Sequence, residues 1–145
     1  MAEYLYFNSR DELLRVSKPC IVYIEASGNY SIINQANGAR GMVGLAMSGM
    51  EQMLIASSGE EKSVKFARVG KSHIINLNYI FSINPLKQKL VLSDQKTFSY
   101  TLDISKDALR KLKDMLVTRK QTIKKDGNNN RTGRGDTDAT PANQL

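Results

Sequence analysis

One short connection between two apolar stretches carries most of the side chains that could bind a charged ligand. It holds Arg68, Lys71, Ser72 and His73. Cations and hydroxyl groups bind phosphate oxygens, and forked or amide groups read the edges of bases. A loop held on a rigid sheet can present both kinds of group. These residues therefore suit a nucleic-acid contact, but taken alone they favour the simpler interpretation, a solvated basic turn.

Candidates for catalysis are few, since the chain of 145 residues has one Cys and one His. A single cysteine excludes an internal disulfide and any zinc site built from several cysteines. Gly70-Lys71-Ser72 matches the end of a phosphate-binding loop, but Lys65 stands where that motif needs its first glycine. Cys20 heads an apolar stretch, which predicts a buried and inert thiol. We therefore predict no enzymatic activity, no cofactor and no metal site.

Positive charge is concentrated in one part of the chain. Residues 1–61 hold four basic and seven acidic residues, a net charge of −3, whereas residues 62–125 hold 15 and four, a net charge of +11. This asymmetry favours a polyanionic partner, nucleic acid before membrane. No apolar run approaches the roughly 18 residues of a membrane span, and no secretion signal opens the chain. The sequence predicts a soluble, cytoplasmic protein that makes no membrane contact.

Alternating apolar residues and turn signals predict strands over most of the chain. Asn37-Gly38 predicts a type I′ turn, because both residues tolerate a positive φ. The predicted strands cover residues 3–8, 12–16, 20–26, 30–36, 40–45, 64–69, 73–83, 89–92 and 96–100.

Two segments have helical spacing instead. A short helix is predicted at about 48–57, with Ser48 as its N-cap and its methionines in the core. A second helix begins after Ser105, a good N-cap, and carries one apolar stripe. Residues 58–63 are predicted to form a charged loop. Residues 121–145 lack apolar anchors and are predicted to form a disordered polar tail.

These segments, in this order, resemble the LytTR family of DNA-binding domains. The family pattern has a strand ending in Glu-Ala before a polar turn and an aromatic residue, then a Met-Glu pair with a leucine. A long motif from Phe-x-Arg to Ile-Ile-Asn, a hairpin and a Ser-led helix follow. The corresponding segments here are 23–30, 50–54, 66–80, 89–98 and the chain from 104 onward. The likeness covers about residues 3–117.

The resemblance implies a mostly β fold. Its sheets would be small and antiparallel, stacked in an elongated arrangement, with one short internal helix and a C-terminal helix. Residues 1–120 would form this domain, in a stand-alone form without a receiver domain. Members of the family bind duplex DNA through loops that enter successive major grooves.

The resemblance also assigns DNA contacts to three loops. Asn29 would read an adenine edge or shape its turn, Lys71 would reach guanine or a phosphate, and Lys106 would meet DNA at a helix N-terminus. For Arg68, both a DNA contact and a structural role stay open. Glu25 is expected to support the DNA-contacting residues without touching DNA itself. The full predicted set is Asn29, Tyr30, Arg68, Lys71, Ser72, His73 and Lys106.

Two residues depart from the family pattern. Gly70 stands where the pattern has His, which removes a polar group and loosens the turn, and His73 stands where it has Tyr.

The predicted function is a sequence-specific transcriptional regulator that binds double-stranded DNA. The alternative is a protein-interaction or ligand-binding module on the same fold that has lost DNA binding. A third hypothesis is an RNA-binding β module that stacks bases on Tyr30 or other exposed aromatic residues. A homodimer on repeated half-sites and a separate signalling partner both fit the prediction.

Overall fold

The protein is mostly β, as predicted, with small antiparallel sheets and two helices. A computed structural model describes residues 4–55 and 65–119. Ten strands lie in these ranges: β1 (Tyr4–Asn8), β2 (Leu13–Ser17), β3 (Ile21–Ser27), β4 (Tyr30–Gln35), β5 (Arg40–Val43), β6 (Phe66–Val69), β7 (His73–Asn76), β8 (Ile80–Asn84), β9 (Lys89–Ser93) and β10 (Ser99–Asp103). The helices are α1 (Met47–Ile55) and α2 (Lys106–Arg119).

The largest sheet has five antiparallel strands in the order β5-β4-β3-β7-β6. Its central strand, β3, begins with four buried residues in succession, which matches its unbroken run of large apolar side chains. β7 pairs with the middle of β3, and Glu25 lies directly opposite His73 in the register. Two chain segments far apart in sequence thus place their connecting turns side by side.

Two smaller sheets complete the fold. β1 and β2 form a hairpin, and β8, β9 and β10 form a three-stranded antiparallel sheet. The rings of Tyr23 and Tyr100 meet edge to face with centroids 5.3 Å apart, and the Tyr100 hydroxyl donates to the Gln35 carbonyl at 3.0 Å. These contacts join the three-stranded sheet to the five-stranded one.

The core lies between the five-stranded sheet and α1. Ile24, Ile33 and Ile74 from the sheet pack with Met50 and Leu54 from the helix, all of them fully buried. Each such side chain stabilises the fold by about 1.5–3 kcal/mol relative to exposure. The predicted core role of the methionines is confirmed for Met47 and Met50.

Three local predictions were wrong. The first helical bond of α1 runs from the Met50 amide to the Ala46 carbonyl, so Ser48 lies inside the helix and is not its N-cap. Gly38 has a φ of 89° while Asn37 keeps a negative φ, so the β4–β5 turn is not type I′. Cys20 belongs to a single 3-10 turn that ends before β3, and its thiol is exposed instead of buried.

The apolar stretch predicted over 73–83 is interrupted. A single 3-10 turn, Leu77–Tyr79, separates β7 from β8. The Asn76 side chain accepts from the Asn78 amide at 2.9 Å and donates to the Ile21 carbonyl at 2.8 Å. Because Asn76 is buried, these bonds satisfy an amide that would otherwise be costly in the core.

Residues up to Lys113 form one compact unit, and a second unit begins at Asp114. The predicted charged loop at 58–63 and the predicted tail at 121–145 lie outside the described residues. Within the described ranges, neither helix is long and apolar enough to cross a membrane.

Candidate nucleic-acid interface

The motif that suggested a charged ligand forms the tip of the β6–β7 hairpin. Val69 and His73 are the last paired residues, which leaves residues 70–72 as the connecting turn. Gly70 has a φ of 67°, a conformation that glycine adopts without the penalty of a Cβ atom. Lys71 and Ser72 follow it with exposed side chains. The sequence thus places a cation and a hydroxyl on a tight turn that faces solvent.

Contacts from three elements hold turn 70–72 in place. An Arg68 guanidinium nitrogen donates to the Lys71 carbonyl at 2.8 Å, and the Ala26 amide donates to the Ser72 carbonyl at 2.9 Å. A Cβ atom built on Gly70 would lie 3.6 Å from the Cβ of Ala108, so the turn packs against the start of α2. The looser turn expected from the missing family His stays a prediction.

Turn 28–30 lies beside this turn, because it follows the end of β3, where the Ala26 amide donates to the Ser72 carbonyl. Gly28 has a φ of 63° at the first central position of the two-residue β3–β4 hairpin turn. Asn29 and Tyr30 are both exposed, Tyr30 to 51%. The Asn29 amide and the Tyr30 ring are therefore available to a ligand.

The third predicted loop is the start of α2. The Ser105 hydroxyl oxygen accepts from the Ala108 amide at 3.3 Å, which confirms it as the N-cap. Lys106 follows as the first helical residue and is half-buried. The free amides of a helix N-terminus favour phosphate, so this end adds to the positive character of turn 70–72.

Arg68 differs from the other cations of the set. One of its terminal nitrogens donates to the Glu51 carboxylate at 2.9 Å, and the other donates to the Lys71 carbonyl. By contrast, within residues 4–55 and 65–119 no acidic side chain pairs with the Lys71 ammonium group.

His73 and Glu25 face each other across β7 and β3. Burial lowers the pKa of the His73 imidazole from its ordinary value, and the Glu25 carboxylate opposes this with a smaller rise. The imidazole is therefore neutral at pH 7 and acts as a hydrogen-bonding group, not as a cation. Glu25 also accepts from the Asn34 amide at 3.4 Å and pairs with Arg40 at 3.7 Å, which keeps its carboxylate with protein partners.

The sequence analysis missed two residues next to this site, Glu51 and Arg40. Glu51 pairs with Arg68, 17 positions away, and Arg40 pairs with Glu25, 15 positions away, so no local sequence pattern predicts either pair. Only the packing of α1 beside β6, and of β5 beside β4, brings the charges together.

Comparison with known proteins agrees with the fold described above. The chain superposes on a solved LytTr DNA-binding domain from Bacillus cereus with a TM-score of 0.55 and 20% identity, over 78% of this chain and 95% of that one. A search of curated proteins found no match. The family model described as the LytTr DNA-binding domain matches residues 11–117. The chain therefore belongs to the LytTR family of DNA-binding domains.

Proposed function

We propose that this chain is a sequence-specific transcriptional regulator that reads the major groove of duplex DNA through turn 70–72. The observation that carries the proposal is the meeting of two turns and a helix start around Lys71, which is exposed and forms no ion pair with the residues that the structure describes. Turn 28–30 adjoins through the Ala26–Ser72 bond, and the start of α2 adjoins through Gly70 and Ala108. Loops that share one rigid support can enter a groove as a unit.

Each exposed side chain has a role that fits its chemistry. Lys71 donates to a guanine edge or to a phosphate, and Ser72 donates to a phosphate. Asn29 has the amide that pairs with an adenine edge, and Tyr30 packs against the backbone or a thymine methyl group. Lys106 binds phosphate together with the first amides of α2. His73 contributes a neutral hydrogen-bonding group behind the turn.

Charge supports the same conclusion. The segment with a net charge of +11 includes turn 70–72 and α2, which carry Lys71 and Lys106. Each phosphate that the protein neutralises contributes about 0.9 to the slope of log affinity against log salt. We expect a slope of a few units, because the exposed cations of the site are few.

Selection from a randomised duplex pool tests the proposal. The full chain should enrich a common motif and bind it far more tightly than a scrambled duplex at physiological salt. Single-stranded RNA should compete poorly. If the selected duplexes share no motif and all bind with the same affinity, the protein binds DNA only as a nonspecific basic surface.

A groove that shares Tyr30 with the candidate interface favours a second candidate function, a ligand-binding module. It has a volume of about 500 Å³ and lies between the β1–β2 hairpin and β5. Tyr6, Met42 and Leu45 line it with Tyr30, and Glu12 is its acidic member. This size suits a small molecule with an apolar body, and the carboxylate suits an amine. Saturable binding of phenethylamine that Met42→Lys abolishes, without duplex binding, would favour this candidate.

The remaining assignments complete the proposal. Residues 1–120 form the DNA-binding domain. The protein acts in the cytoplasm, without enzymatic activity, as a homodimer on repeated half-sites. A separate signalling partner controls it. Support for the dimer comes from the small size of the site, since a second copy would double the number of bases contacted.

A further inference from the structure

We propose that Arg68 is a positioning residue that does not touch DNA, and that Glu51 in α1 sets the shape of turn 70–72 through it. The inference rests on the proposed function for its consequence in DNA binding. Its structural half concerns the turn alone and can be tested without DNA.

The guanidinium group is held by two acceptors in the protein. Its two terminal nitrogens donate to the Glu51 carboxylate at 2.9 Å and to the Lys71 carbonyl at 2.8 Å. The Arg68 side chain is 29% exposed and that of Glu51 is 40% exposed. A guanidinium fork can hold two acceptors in fixed directions, whereas a lysine ammonium on a flexible stem cannot do so equally well.

The turn needs such an external restraint because of its glycine. Gly70 permits many backbone conformations, so the directions of Lys71 and Ser72 depend on what holds their peptide groups. Arg68 fixes the Lys71 carbonyl, and Ala26 fixes the Ser72 carbonyl. With both carbonyls directed into the protein, the two side chains are left to project toward solvent.

Charge separates this role from direct contact. If Arg68 bound a phosphate, Glu51 would only weaken binding by repelling DNA, and its removal would raise affinity. If Arg68 positions the turn, removal of Glu51 lowers affinity for the specific duplex although a negative charge has been lost. The two roles predict opposite signs for one substitution.

The experiment compares Glu51→Ala and Arg68→Ala in the full chain, with Asp11→Ala as the control. Asp11 is an exposed acidic residue between β1 and β2 and forms no ion pair within the described ranges. We expect Glu51→Ala to lose roughly tenfold in affinity for the selected duplex and little for a scrambled one. Arg68→Ala should lose a similar amount with an unchanged salt slope, and the double variant should lose no more than either single variant.

Two further variants guard against a folding defect. Glu51→Gln and Arg68→Lys keep the size or the charge of the side chain but weaken the bridge, so they should show the same loss of specificity at an unchanged melting temperature. In the chain without DNA, the amide NMR signals of Lys71 and Ser72 should shift in Glu51→Ala and not in Asp11→Ala.

The inference is overturned if those signals do not move. It is also overturned if Glu51→Ala binds more tightly while Arg68→Ala lowers the salt slope by about one on every duplex, as a phosphate contact would. Absence of duplex binding by the unaltered chain would instead refute the proposed function and leave the NMR result to decide the role of Arg68.

Discussion

Turns 70–72 and 94–98 are both firmly held connections between antiparallel strands, but they are held in different ways. In turn 94–98, one Asp94 carboxylate oxygen accepts from the amides of Lys96, Thr97 and Phe98 at 2.7–3.1 Å. All of these bonds are local. Turn 70–72 is fixed by β3, by the Arg68–Glu51 pair and by α2, which come from distant parts of the chain.

The difference bears on our proposal that turn 70–72 is the one that serves a ligand. The hydrogen bonds of the Asp94 carboxylate are made within turn 94–98 itself. Turn 70–72 is held by bonds to its backbone, and the Lys71 and Ser72 side chains are exposed. Each turn also carries one exposed lysine, Lys71 or Lys96, which allows a matched test.

The largest expected effect is on DNA binding. Lys71→Ala should cost about 1–3 kcal/mol of binding free energy if it reads a base edge, and should relax preference at one position of the site. Its free energy of unfolding should change by less than about 0.5 kcal/mol, since the side chain is exposed. Fluorescence anisotropy and chemical denaturation measure the two quantities.

Lys96→Ala is the control for that substitution. It removes the same charge from a turn of the other kind, and should affect binding only through a weak, salt-sensitive field. If the two variants lose equally small amounts of DNA affinity, DNA binding is a property of the general basic surface and not of turn 70–72.

How much of this comparison the sequence predicts depends on the range of the contacts. The turn after Ser93, the Ser105 cap and the hairpin at 28–30 follow from residues that lie close together in the chain. Turn 70–72 was placed correctly, but its supports were not, because Glu51 and Ala108 reach it only after α1 and α2 have packed. The exposure of Cys20 was missed for a related reason: the 3-10 turn before β3 lifts it out of the strand.

The next effect is on backbone strain, where the two turns should respond in opposite directions. Gly70→Ala places a Cβ atom at a φ of 67° and should cost about 1 kcal/mol of stability. Ala108 does not add a clash at 3.6 Å. Gln95 has a φ of 63° without being glycine, so Gln95→Gly should relieve strain of about that size, less the entropy gained by the unfolded chain. Urea denaturation of both variants checks the signs.

A smaller effect should depend on pH and involve turn 94–98 alone. The Thr97 hydroxyl bond, followed by backbone amides, holds the pKa of Asp94 well below its ordinary value. A depressed carboxyl pKa stabilises the fold above about pH 4, and this stabilisation is lost as the pH falls further toward the pKa in the folded state. Asp94→Asn should therefore melt below the unaltered chain at pH 6, with a gap that narrows toward pH 2, and should bind DNA normally. A difference in melting temperature that stays the same at all pH values would contradict the link between Asp94 ionisation and stability.

The smallest expected effect is from truncation after Lys120. Residues 121–145 lack apolar residues at either helical or strand spacing, so their removal should leave the melting temperature nearly unchanged. Lys124 and Lys125 would still contribute to nonspecific affinity. A fall of several degrees in calorimetry would show that this segment stabilises the domain.

The most direct test of the central claim is an NMR titration of the full chain with its selected duplex. The account predicts that amide signals of turns 28–30 and 70–72 and of the first turn of α2 shift together and saturate at one concentration. Signals of turn 94–98 should stay in place. Shifts centred on turn 94–98, or spread evenly over the basic surface, would contradict recognition by turn 70–72.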